Sequence, residues 1–185
     1  MHKLRIPILT IGALLCPLLM TAQKTTVSKM NPTTPEKDAK ENSAEVPDVY
    51  TVSADIKRTV ILRFKYKADL LAGMQKAVKD NKIHNAVILS GIGSVRNYHI
   101  HQVSNRTFPS KNAYVKDPMA PADLVSMNGY ILGGKVHAHM TLATPEGAFA
   151  GHLEPDTNVF TFAIVTIGVL DDTLDLSKLD DKTYR

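Results

Sequence analysis

Three histidines fall within sixteen positions of KVHAHMTLATPEGAFAGHL, residues 135–153: His137, His139 and His152. Neutral imidazole is the commonest side-chain ligand for metal ions, and the core of a sheet has no need of one. The alternation in KVHAHMTLA makes it a strand, with His137 and His139 on one face and Ala138 on the other. The two Cα atoms then lie about 6.5–7 Å apart, within reach of one shared ion given metal–nitrogen bonds of about 2.0–2.1 Å. ATPEG is a turn, and the return strand AFAGHL must supply the third ligand. Two registers are open. With Pro145 and Glu146 as the loop, Thr144 faces Gly147 and His139 faces His152, their Cβ atoms about 4.5–5.5 Å apart. A type I turn with Gly147 in the left-handed position suits Pro-Glu-Gly better and gives a three-residue loop. His152 then turns to the wrong face, unless a bulge at Ala150–Gly151 restores it. Where the three imidazoles converge, a fourth position stays open for water or substrate, as in catalytic zinc sites. A lone imidazole would be read as a hydrogen-bonding sheet residue. The HxH spacing followed by a hairpin-paired histidine favours a metal.

A second pair, His99 and His101 in NYHIHQV, repeats the spacing without a third ligand close in sequence. It is expected to line a pocket or an exposed strand face. Glu154, two residues past His152 and on its face, is a candidate helper, and Arg63 and Arg96 are candidate anchors for an anionic group. His84 is placed at the end of a helix, where a cation suits the dipole. GIGS lacks the GxGxxG pattern and leads into a strand, so Gly91 and Gly93 are read as turn residues. No GxSxG elbow is present.

The elements that must position these residues follow from periodicity. TVILRFKYK alternates as a half-buried strand, and ADLLAGMQKAVKDNKI carries its apolar residues at helical spacing, with Asp69 suited to the first turn. NAVILSG, VRNYHIHQV, DLVSMNGYILGG, KVHAHMTLA, AFAGHL and NVFTFAIVTIGVL read as strands, and the three prolines within 105–122 mark a long loop. The fold class is therefore α+β, a largely antiparallel sheet of six or seven strands with one main helix. At 185 residues the chain is one domain with appendages. Residues 1–22 combine a basic start, an apolar run and a small residue at Ala22, the pattern of a signal peptide. Export to the periplasm or the medium is expected, with no stable membrane insertion after cleavage. Residues 23–56 are polar and proline-bearing and read as a disordered tether; the domain spans 57–175 and a tail 176–185. Removing Lys3 and Arg5 with the signal segment leaves 20 basic against 18 acidic side chains, a net charge of +2. That is far from the footprint of a nucleic-acid binder. Cys16 is the only cysteine, so a metal in the mature chain must rest on nitrogen and oxygen ligands.

These motifs together resemble the plants and prokaryotes conserved (PPC) domain. The shared features are Arg63 on a first strand, Asp69 opening a helix, Gly91–Ser94, a strand LVSMNGYI ending near Gly129, His137 and His139, and AGHL with His152. The resemblance runs from about residue 57 to 170, and the HxH-turn-GH segment is its most specific part. Two departures fall on that segment: Ala150 stands where the family has the first glycine of GGH, and the stretch from Gly147 to His152 is one residue shorter. The resemblance implies an α+β domain assembling as a homotrimer, with His137, His139 and His152 as ligands to zinc or another imidazole-binding divalent metal. It also implies a fold similar to acetolactate decarboxylase, which holds zinc with an HxH pair and a later histidine. Three functions are in play. An exported binding module would capture a small polar ligand at the metal or use the ion to stabilise its fold. A metal-dependent lyase, decarboxylase or hydrolase would act on a small polar substrate. The DNA-binding label often given to the family is disfavoured here by the charge, the signal segment and the lack of an AT-hook.

Overall fold

A computed structural model of the chain describes residues 25–29 and 40–185; the expected signal segment 1–22 lies outside them. In chain order the elements are β1 (Thr25–Lys29), β2 (Arg58–Phe64), α1 (Leu70–Asp80), β3 (Ala86–Val103), β4 (Lys111–Asp117), β5 (Ala122–Leu132), β6 (Lys135–Thr144), β7 (Gly147–Leu153) and β8 (Asn158–Val169). Every strand pairing is antiparallel and one helix accompanies the sheet, so the fold is α+β as the periodicity predicts. Among the described residues no helix is long and apolar enough to cross a membrane.

The sheet is organised around β3. Its first half pairs with β5 and β8, and its second half with β4 and, at Ile100 and His101, with β7. Because β5, β6 and β7 follow one another as hairpins, β3, β5, β6 and β7 close on themselves. Two predicted strands are thus one. GIGS is not a turn but stays inside β3, which is bulged between Ile88 and Ser90 and again around Val95. The glycines are there for close approach: a Cβ at Gly93 (φ +148°) would stand 2.3 Å from the Phe162 carbonyl oxygen, and one at Gly91 2.5 Å from Met127 Cβ. The proline-bearing segment 105–122, expected as a loop, contains β4, and the tether contributes β1, paired along β4.

The core is filled by Tyr98, Ile100, Met127, Met140, Leu142 and Leu153 from the closed part of the sheet, each essentially inaccessible. Burial of one such side chain contributes about 1.5–3 kcal/mol. Helix α1 presents Leu70, Met74 and Val78 inward, as its spacing predicts. Gly73 leaves room for the Phe64 ring, which a Cβ would meet at 2.6 Å. The helix ends at Asp80, so His84 stands beyond it and Lys79 is the cation of the last turn. Asp69 caps the helix, accepting from the Ala72 N–H at 2.8 Å, and it also accepts from the Asp156 N–H at 2.7 Å. One carboxylate therefore ties the helix start to the turn after β7. Asp69→Ala is expected to cost about 1.5–3 kcal/mol, a lost cap plus a second orphaned N–H, read as a lowered urea midpoint with unchanged slope.

Candidate metal centre

The β6–β7 hairpin settles the register. Thr144 is opposite Gly147 and His139 opposite His152, with Pro145 and Glu146 alone in the loop. Gly147 takes φ +151°, and the Thr144 hydroxyl accepts the Glu146 N–H at 3.3 Å, which lets Pro145 sit in so short a connection. No bulge at Ala150–Gly151 is needed. Gly151 serves the packing of two strands instead. A Cβ there would lie 2.7 Å from the His101 carbonyl oxygen, so its absence lets β7 lie against β3. That contact sets His152 opposite His101.

His139, His152 and His101 thus form one row across β6, β7 and β3, with His137 two residues from His139 on the same face. Ring centroids are 5.3 Å apart for His137 and His139, 5.1 Å for His139 and His152, and 4.8 Å for His137 and His152. Nitrogen atoms of these three rings all lie within 4.8 Å of one another. The Nε2 atoms of His137 and His139 are 3.3 Å apart. Two nitrogens on one tetrahedral ion, at bonds of about 2.0–2.1 Å, are separated by roughly 3.3–3.4 Å. Burial, helped by the neighbouring His137 and His101, pushes the His139 ring below its ordinary pKa. Burial likewise takes His152 down to about 4, aided by His101, His137 and His139 and opposed by Asp180. Both rings are therefore neutral at pH 7, the form that ligates. The residues present fit a divalent metal.

The second HxH pair splits. His101 is buried and stacks on His152 at 4.5 Å, and its Nδ1–H donates to Glu154 Oε1 at 2.6 Å. His101, His152 and Glu154 make a second group with metal-ligand spacing. The partners that His101 lacks nearby in sequence are thus His152 on β7 and Glu154 just beyond it. His99 turns aside, its Nδ1 at 3.0 Å from the Pro155 carbonyl oxygen. Arg63 and Arg96 do not join the site. Arg63 is opposite Ile164 on the outer face of β2 and lies over the Phe162 ring at 5.7 Å. Arg96, on the bulged stretch of β3, is turned to the Tyr66 hydroxyl at 3.2 Å. Neither lines the histidine cleft.

Sequence reasoning missed Asn128 and Asp180. Asn128 is opposite His139 on β5, which cross-strand parity would have found once β5 and β6 were paired. Asp180 comes from the expected tail and lies 2.9 Å from His137 Nδ1, with no periodic signal to announce it. These residues, with Tyr130, His137, His139 and Leu179, line a cavity of about 340 Å³ beside a wider cleft whose lining also includes His101 and His152.

The sequence profile of the Plants and Prokaryotes Conserved (PCC) domain matches residues 51–171. The chain belongs to this family. No curated protein matches the chain. Among solved structures, the PPC fold recurs in a metal-containing protein from Archaeoglobus fulgidus, 21% identical with a TM-score of 0.56, over 66% of this chain and 86% of that one. A PPC protein from Pyrococcus horikoshii is 24% identical with a TM-score of 0.55, over 66% and 85%. A hypothetical protein from Salmonella enterica is 20% identical with a TM-score of 0.53, over 65% and 81%. At these identities the likeness concerns the fold.

Proposed function

We propose that this PPC-domain protein is an exported, trimeric metalloprotein in which His137, His139 and His152 hold one divalent ion, zinc in the first instance, that captures a small polar ligand. The observation that carries the reading is the 3.3 Å separation of the two Nε2 atoms, with the third ring across the hairpin. The Archaeoglobus relative's description as metal-containing supports it. Bound there, the ion would supply a Lewis acid and an exchangeable coordination position. Among the described residues the group has three members, and the cleft beside it offers polar and charged walls from His84, Asn112 and Lys135. A small oxygen-bearing ligand suits that setting better than an apolar one. A second reading, metal-dependent catalysis, is favoured by the His101–Glu154 pair, a candidate proton-transfer couple next to His152. The N-terminal basic–apolar–small pattern supports export. Metal content per chain, measured by mass spectrometry on the purified protein after zinc supplementation, tests the centre: one equivalent supports it, and persistent absence refutes it.

The assembly rests on a separate surface. Ile61, Ile92, Phe160 and Phe162 share the outer face of β2, β3 and β8, and Ile61 and Ile92 are 69% and 54% exposed. An apolar patch of that kind marks an interaction site, and a second and third copy of the chain would cover it. Light scattering is expected to give three times the monomer mass for the wild type and the monomer mass for Ile92→Lys. A monomeric wild type would refute the trimer.

A further inference from the structure

Residues 176–185 lie beyond the stretch matched by the family profile, yet they pack against the metal-centre face. The Asn85 amide donates to the carbonyls of Asp171 at 3.2 Å and Leu174 at 3.1 Å, and Leu176 is buried. The chain is thereby fixed as it turns toward the histidines. Leu179 then lines the cavity beside His137, and Asp180 Oδ2 reaches His137 Nδ1.

We propose that Asp180 is a positioning residue of the metal centre, accepting the His137 Nδ1–H and so aiming Nε2 at the ion. This role rests on the reading of His137, His139 and His152 as ligands. A carboxylate can only accept, so the 2.9 Å contact puts the proton of a neutral His137 on Nδ1. The lone pair is then on Nε2, the atom that stands 3.3 Å from His139 Nε2. The ring is held from behind while its free nitrogen faces the other ligand. Metal-ligating histidines are commonly oriented by a carboxylate in this way, and loss of such a partner typically weakens binding about 10–100-fold. As an ion pair the contact contributes little, because the side chains of His137 and Asp180 are 38% and 51% exposed. Orientation is where its effect lies, and that separates it from a merely structural contact. The site of this chain accordingly extends past the family domain.

The test is zinc affinity of the purified full-length protein, by competition with a chromophoric chelator, for the wild type, Asp180→Ala, Asp181→Ala and His137→Ala. Asp180→Ala is expected to keep one equivalent but bind it about 10–100-fold more weakly. Its metal-free melting temperature should stay at the wild-type value, and its cobalt(II) absorption bands should shift as His137 loses its fixed direction. Asp181→Ala, next in the same segment, is expected to bind as the wild type does. Wild-type affinity and an unshifted cobalt spectrum in Asp180→Ala would overturn the inference, while loss in His137→Ala would leave the three-histidine centre standing. Equal weakening in Asp181→Ala would assign the effect to packing of the segment and also overturn it. Zinc binding absent from the wild type would refute the centre itself, and Asp180's role with it.

Discussion

Replacing His137 and His139 together by alanine is expected to abolish zinc binding at any concentration that saturates the wild type. Structural zinc sites bind with about 10–16 kcal/mol over three or four ligands, so each contributes on the order of 3–4 kcal/mol, or 10²–10³-fold in affinity. Removing two lowers affinity by roughly 10⁴–10⁶-fold on that scale. The stability readout follows by mass action. At free zinc about 1,000 times the dissociation constant, the wild type gains about 4 kcal/mol from binding, and the double variant gains nothing. Removing the metal with a chelator should therefore lower the wild-type melting temperature and leave that of the double variant unmoved. His99→Ala controls for loss of an imidazole as such: His99 is engaged with the Pro155 carbonyl, and the variant should bind zinc as the wild type does. If His99→Ala and the double variant lose zinc alike, the ion sits elsewhere. The substitutions themselves should be tolerated, since both rings are partly exposed and neither fills the core.

Much of this centre was legible because strand periodicity is strict. Alternation alone places His137 and His139 together, and the outward Arg63 and Ile61 on β2 follow the same rule. The hairpin register was not legible, because Pro-Glu-Gly by itself favours the three-residue loop, whereas the observed two-residue loop goes with the close approach of β7 to β3. That approach is set by Gly151 against the His101 backbone, a contact between residues about fifty positions apart in the chain. The same long-range pairing hid the role of His101, which has no partner nearby in sequence but meets His152 and Glu154 in space. The glycines of GIGS misled for a related reason. Locally they signal a turn, whereas here they remove Cβ atoms that would strike Phe162, Ala163 and Met127 on neighbouring strands. Asp180 lies in a segment without periodicity, whose course is fixed by the side chain of Asn85 and the burial of Leu176.

Gly129→Ala is expected to be the most damaging single-methyl change near the site. Gly129 does not end β5 but lies within it, opposite Ala138, with φ +140°. A Cβ there would stand 2.1 Å from the His137 carbonyl oxygen and 3.0 Å from Ala138 Cα. Both obstacles are backbone atoms of β6, so no rotamer change can relieve the clash. Backbone strain of about 1–3 kcal/mol and overpacking of about 1–3 kcal/mol act together, giving roughly 2–6 kcal/mol. Against a total stability of about 5–15 kcal/mol, that is a large share. Gly133→Ala is the matched control, since Gly133 also has positive φ (+57°) but nothing within 4 Å of the added methyl. It should cost only the left-handed backbone penalty, about 1–2 kcal/mol. Urea denaturation of the metal-free proteins separates the two, and equal midpoints would show that β5 and β6 do not approach this closely. Zinc affinity adds a second discrimination. The clash pushes on the peptide that carries His137, so the folded fraction of Gly129→Ala should bind zinc more weakly, whereas Gly133→Ala should not. The glycine thus keeps β5 against the backbone from which His137 projects, and position 129 bears on the proposed centre without contributing any atom to it.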